Sequence, residues 1–516
     1  MKRALRRVAA GLLLGLAGAV TFLALTPLPR AGGVFKRLEW IGPLHVVDLE
    51  TGTVTADRAL LIDIDRIKAI VGMDELSPED RRSMTDGGGA FVMPALWDMH
   101  AVLTRLAPPV EHPLYLAHGV TRLRNILNCP REGEVNLYPC LSHKRSWSFE
   151  ASSGWLTGPV IMGSGSYPLG DPEQQHRDAP EYFVAGTPAE ARALVRTLAE
   201  HDRDRRPDHI KTYDGLPRDS FLALMDEARS KWIEVSGHVP TEVSVAQASS
   251  AGLKAIAHAR VLPIGCSSRE PDIVRLRTSG RPASEWMRLA LDSYDPARCA
   301  ELWRLLVANG TFISPTLITR FNETQAGLRE LAADPVTIAS TPWVVKLIWR
   351  EDTAAIEERS AEEEALYQEF YRAAAARTAE AERAGVRLLL GSDTNDVYVA
   401  PGRGLHWEIE LWKRAGIPPA SILRAGTLNA AAYFELERDF GRVAPGYRAD
   451  LVLTELNPLE DPGTLRTPHA VIQEGRLYQR EALQDMAAKA QDTAGSWRYT
   501  VHFLHAFLRN PRGFAN

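Results

Sequence analysis

"LWDMHAVLTRL", residues 96–106, is the stretch on which the fold turns. It begins as an apolar run of strand length, passes Asp98 and stops on His100. Two places on, where a second histidine would be looked for if this strand end held a metal, stands Val102. Seven further apolar runs follow: "GVTRLRNI", "GPVIMGSG", "HIKTY", "IEVSGHV", "LKAIAHA", "GTFISPTL" and "VRLLLGSDT". Between them lie segments with helical periodicity, among them "TPAEARALVRTLAEH", "RDSFLALMDEARSKW" and "PARCAELWRLLVANG". Apolar strands alternating with helices imply a parallel sheet covered on both faces. Eight of them predict an α/β fold built on a (β/α)8, TIM-like barrel over residues 93–439.

The rest of the chain is arranged around that barrel. Residues 34–92 and 440–482 contain short β-like runs such as "LHVVDL", "RALLIDIDRIKAIVG", "AFVMP" and "HAVIQEGRLYQRE", and together predict a small composite β-sandwich from both chain ends. Residues 320–385 are almost continuously helical and charged, an excursion between the seventh and eighth strands. Residues 483–516 form a tail whose "WRYTVHFLHAFLRNPRGF" either packs on the barrel or lies on a membrane.

At 516 residues, 45% hydrophobic and with a net charge of −5, the composition is that of an ordinary globular chain. It gives no basis for nucleic acid as a partner. The N-terminus departs from the average. Lys2, Arg3, Arg6 and Arg7 precede "VAAGLLLGLAGAVTFLAL", residues 8–25, an apolar run of bilayer-spanning length. Residues 1–33 therefore predict a signal anchor or signal peptide. The missing small-x-small cleavage site favours the anchor. The chain is then exported, either held in the inner membrane facing the periplasm or extracellular side, or secreted after cleavage, with the membrane as a partner through this segment. Four cysteines agree with an oxidising compartment, and Cys129 and Cys140 bracket a loop able to close as a disulfide. The oligomeric state, homo-oligomer included, is left open.

Chemistry is expected at the C-terminal ends of barrel strands. His100, Lys211, His238, His258 and Asp393 stop the first, fourth, fifth, sixth and eighth runs. Any one of them is ordinary. Five metal-ligand types at one end of one barrel point to a shared cavity.

The ordered series resembles the metal-dependent amidohydrolase superfamily, in particular its imidazolonepropionase-like and prolidase-like members. It rests on "MPALWDMH", "HGVTRLRN", "IKTY", "GSDT", "GLHWEIELWKRAGIPPASILRAGTLNAA" and "GRVAPGYRADLVLTELNPLED", and covers about residues 40–482. The resemblance implies one or two divalent ions, zinc foremost. Lys211 would carry a carbamate bridging them, His238 and His258 would hold the β metal, and His100 and Asp393 the α metal. Asp393 would also be the catalytic proton acceptor. A lysine among apolar strands loses its charge readily, as carbamate formation requires, and neutral imidazoles suit zinc. The implied reaction is metal-assisted hydrolysis of an amide, cyclic amide or dipeptide C–N bond in a small-molecule or dipeptide substrate.

Val102 departs from the family pattern, which has a second histidine there. A valine cannot coordinate, so the α site is weakened while the β site keeps its set. A water-completed binuclear site, a mononuclear hydrolase and a catalytically impaired binding protein all follow; an ester or lactone hydrolase is a further alternative. Of the nearby histidines His112, His118 and His143, His143 is better placed at the top of the barrel but is not counted among the ligands. His118 is expected to face the bottom of the barrel or solvent, and His406 and Glu408 to be a structural pair at a helix start. "GSGSYPLG" lacks the spacing of a nucleotide fingerprint.

Overall fold

The computed structural model describes residues 26–30, 32–37, 39–129, 138–163, 169–170, 183–200 and 206–509. The apolar run 8–25 and most of "GSGSYPLG" lie outside the described residues. No helix among the described residues is long and apolar enough to cross a membrane.

The first runs form strands Leu96–Ala101 and Val120–Asn125, in which every residue is buried; they pair in parallel with each other, and Val120–Asn125 pairs in parallel on its other side with Val160–Gly163. Burial on both faces explains why these strands read as continuous apolar stretches. A second parallel sheet contains His209–Thr212, Glu234–Gly237, Ala255–Ala257 and Phe312–Ser314 in that order. Segment 387–394 joins the two. Leu389 N donates to Ile313 O at 2.8 Å on one side, and on the other Met99 N donates to Leu390 O at 2.8 Å and Asp393 N to His100 O at 2.7 Å. The result is one curled α/β sheet. At its other edge two short strands that the sequence reading omitted, Leu169–Gly170 and Phe183–Val184, precede His209–Thr212.

Gly391 makes the junction close enough. A Cβ there would meet His100 Cβ at 2.6 Å, so glycine lets the eighth segment lie against the first strand. Amphipathic helices cover the sheet; Arg218–Ser230 buries Phe221, Leu224, Met225 and Ala228 at helical spacing. The excursion after the seventh strand is a series of helices ending in Trp343–Glu357 and Ala361–Arg383.

The outer strands correct the expected sandwich. They form a single eight-stranded sheet, running Lys36–Arg37, Arg476–Gln479, Ala470–Gln473, Leu451–Thr454, Thr85–Pro94, Trp40–Asp48, Thr53–Asp63, Arg66–Gly72. It curls around its own core of Ile41, Leu60, Ile67, Val92, Leu451 and Ile472. The sheet can remain continuous because Leu451–Thr454 pairs with Thr85–Pro94, joining the two chain ends directly. Arg122, from the second parallel strand, donates through Nε to Asp450 Oδ2 at 2.6 Å and ties this sheet to the curled one.

Cys129 and Cys140 are bridged, and so are Cys266 and Cys299, a pairing not foreseen. The C-terminal tail folds as helices Arg480–Gly495 and Trp497–Arg509, whose Ala490, Ala494, Tyr499 and Phe503 pack with Leu28, Val110 and Leu114.

Candidate metal centre

The five strand-terminating residues surround one end of the curled sheet. His258 and Asp393 both adopt left-handed backbone, φ 66° and 55°, turning their side chains off the strand axis. His100 Nε2 lies 3.3 Å from Asp393 Oδ1, and His258 Nδ1 lies 3.7 Å from Asp393 Oδ2. One ligand atom from each of His100, His258 and Asp393 falls within 4.8 Å of the others. His238 lies beside this group, its Nε2 2.9 Å from His258 Nε2. Lys211 opens into the same cavity, with Nζ 5.2 Å from the centre of the Tyr213 ring.

Burial sets the charge states. It lowers all three imidazoles, His238 to about 4, so each is neutral and offers a lone pair. Burial likewise lowers Lys211 to about 8. No carboxylate lies within ion-pair distance of its amine among the described residues. Burial alone would raise Asp393, but His100, His258 and Lys211 outweigh it and keep the carboxyl anionic.

These residues fit a divalent cation. His100 is fully buried with neither ring nitrogen in a hydrogen bond. The two Nε2 atoms of His238 and His258 can face each other at 2.9 Å only with a proton or a cation between them. Nitrogen and oxygen donors of this kind suit zinc, and also manganese, iron or cobalt.

A second layer escaped the sequence reading. Asp214 Oδ1 stands 3.2 Å from His238 Nδ1, and Arg260 both pairs with Asp214 and lies 3.2 Å from the same ring nitrogen. Tyr213 stacks on His238 with centroids 4.3 Å apart, and Thr316 Oγ1 is 2.7 Å from His258 Nδ1. Arg260 and Tyr213 each stand two places after a strand-end residue, His258 and Lys211. That alternation was the available signal. Asp98, buried, accepts from His100 N and Ser392 N, each at 3.1 Å, and so staples the first strand to the eighth segment rather than facing the cavity.

The remaining candidates lie elsewhere. His143 sits in helix Leu141–Ser153 with its ring 6.0 Å from that of Trp147, and is not part of the metal-ligand group. His118 and His406 contact each other, and Glu408 accepts from Leu317 N and Ile318 N at 2.8 Å, capping a helix. Val102 lines the cavity without a donor, and Asn395 Nδ2 donates to its carbonyl at 2.7 Å.

The cavity, about 420 Å³, continues outward from the metal-ligand group between Leu106, Val110, Val345, Trp349, Tyr499 and Phe503. Comparison with known proteins agrees with this architecture. The family profile described as "Amidohydrolase family" matches residues 216–485, just over half of the chain, and the chain belongs to that family. Ochratoxinase of Aspergillus niger is 35% identical over 91 residues, which is 17% of this chain and 18% of that protein. The chain thus matches under a fifth of that curated relative. Among solved structures, bottromycin amidohydrolase superposes with a TM-score of 0.66 at 20% identity, covering 94% of both chains. A Xaa-Pro dipeptidase with methionine in its active site gives 0.57 at 18% identity, covering 86% of this chain and 99% of its own. At these identities the likeness is one of fold.

Proposed function

We propose that this chain is a metal-dependent hydrolase of C–N bonds in amides, cyclic amides or dipeptides, working on small molecules. The observation that carries it is the meeting of His238 and His258 at 2.9 Å beside a buried lysine whose amine has no carboxylate within ion-pair distance among the described residues. His238, His258 and a carbamate on Lys211 would hold one ion, with His100 and Asp393 available to a second. The ion would supply Lewis acidity toward water and the scissile carbonyl.

The chain's own residues do the rest. Asp393, anionic and beside His100 and His258, accepts the proton lost by the attacking water. Asp214 and Arg260 hold the His238 ring in place, and Thr316 does the same for His258. The apolar walls exclude bulk water and strengthen every charge interaction inside. The relatives named for amide and dipeptide hydrolysis support the substrate class. A complete (β/α)8 barrel over residues 93–439, with the outer sheet as a separate unit, is the domain reading that accompanies this function.

Val102 favours a second reading, in which the α position is too weak to fill and the chain turns over slowly or only binds. Two disulfides support an exported chain, for which the apolar run 8–25 would be the anchor or signal. Elemental analysis of purified protein beside a hydrolysis screen of dipeptides, N-acyl amino acids and lactones separates these readings. One or two ions with amide turnover supports the hydrolase; lactone turnover alone supports the ester alternative; no ion and no turnover supports the silent barrel.

A further inference from the structure

The outer wall of the cavity is made by two helices, Trp343–Glu357 and Trp497–Arg509. Each presents apolar side chains inward: Val345, Ile348 and Trp349 from the first, Tyr499 and Phe503 from the second. Each also presents large apolar side chains outward. Trp343 is 51% exposed and Leu347 50%, one helical turn apart; Trp497 is 59% and Leu508 77% exposed, with Leu504 on the same face. A helix apolar on both sides, one toward a cavity and one toward solvent, is not what a water-facing surface selects.

Two observations say what covers this face. The first is where the chain emerges. Thr26 O is 3.0 Å from His502 Nε2, Arg498 Nη2 donates to Pro27 O at 3.1 Å, and Leu28 is buried against the Tyr499 and Phe503 cluster. The first described residues, Thr26 to Leu28, therefore lie directly beside this wall, and the apolar run 8–25 immediately precedes them in sequence. The second is charge. Residues 497–516 contain Arg498, Arg509, Arg512, His502 and His505 and no acidic residue, and the first turns of the other helix, which carry Trp343 and Leu347, add Lys346 and Arg350; its acidic Glu351, Asp352 and Glu357 come in the later turns, so these two helix segments match an anionic phospholipid surface.

We infer that the exposed face of helices Trp343–Glu357 and Trp497–Arg509 docks on an anionic phospholipid bilayer, setting the cavity mouth at the membrane surface. Apolar side chains enter the headgroup boundary while Arg498 stays at phosphate level. The metal centre is then reached from the bilayer side, past Phe503 and Ile348. This rests on the proposed anchoring of residues 8–25 and is independent of whether the centre hydrolyses amides.

The full chain offers a clean probe, because all four cysteines are in disulfides. Leu508→Cys carries an environment-sensitive fluorophore on the docking face. Trp232→Cys, 92% exposed just before strand Glu234–Gly237 at the opposite end of the sheet from the metal centre, is the control. Both are reconstituted into vesicles of phosphatidylcholine and phosphatidylglycerol containing brominated acyl chains. The expected result is quenching of the 508 label at least threefold stronger than that of the 232 label, with reversed sensitivity to aqueous iodide. Equal, weak lipid quenching at both sites overturns the inference. So does a 508 label shielded from iodide but not quenched by lipid, the signature of a second protein copy on this face. Turnover of a water-soluble amide, measured on the same samples, reports on the hydrolase reading separately.

Discussion

His238 and His258, at the ends of neighbouring parallel strands, meet through their Nε2 atoms at 2.9 Å with ring planes 87° apart. Gly237 is opposite Ile256, which puts His238 one residue and His258 two residues beyond the last pair, and the left-handed backbone at His258 turns its ring across the gap. Gly237 is itself required, since a Cβ there would meet Thr212 O at 2.7 Å and Lys211 Cγ at 3.0 Å. The strand that carries Lys211 and the one that carries His238 can therefore lie in full contact.

Asp214 holds His238 through its Nδ1 edge, so Asp214→Asn should loosen the ring while leaving the fold intact. Metal affinity is expected to fall by about 10–100-fold, the usual effect of losing such a partner, with unchanged circular dichroism. Competition with a chromophoric chelator measures it. Unchanged affinity would mean that Arg260 alone positions the ring.

Val102→His places an imidazole on the wall of the cavity. If the natural α position is merely weak, metal content should rise by up to one ion per chain and kcat with it. A fall in kcat at constant metal content would show instead that the valine belongs to a working geometry. Inductively coupled plasma analysis and initial rates decide between these outcomes.

Glu111 gives a pH prediction with a definite sign. Burial pushes its carboxyl up to about 7, against donors from Thr104 and Asn395. The folded state then holds a proton that the unfolded state has lost once pH passes the ordinary carboxylate value. Stability from this group is full below about 4.5 and declines as pH rises through about 7, by roughly 3 kcal/mol at most. Glu111→Gln removes the titration. The Tm difference between variant and wild type should therefore move in favour of the variant from pH 5 to pH 8; a constant difference would contradict the buried, raised carboxyl.

The Cys266–Cys299 bridge closes a loop with a sequence separation of 33. Chain-entropy reasoning gives it about 4 kcal/mol of stabilisation. The paired variant Cys266→Ser, Cys299→Ser should lower Tm by several degrees in scanning calorimetry and remove the sensitivity of wild-type Tm to reductant at this bridge.

What could be seen in the sequence, and what could not, follows from the range of the interactions. His100, Lys211, His238, His258 and Asp393 stood out because each breaks an apolar strand, a local contrast. Asp214 and Arg260 did not, because their pairing joins loops after the fourth and sixth strands and depends on three-dimensional approach. The run "RALLIDIDRIKAIVG" gave no sign of its turn; Ile64 takes φ 58° there, a conformation its β-branched side chain disfavours. The sandwich was expected because alternating strands on both chain ends suggest two layers. Only the pairing of Leu451–Thr454 with Thr85–Pro94, hundreds of residues apart, makes them one sheet. Tyr499 and Phe503 were legible as apolar but not as cavity wall, since nothing local says which surface a terminal helix will meet.

The most direct test of the metal centre is anomalous diffraction at the zinc edge from crystals of the full chain grown with zinc and bicarbonate. A peak about 2.0–2.1 Å from the Nε2 atoms of both His238 and His258, with density for a carbamate on Lys211 reaching it, is the predicted result. No peak between these two rings, with Lys211 present as a bare amine, would contradict it.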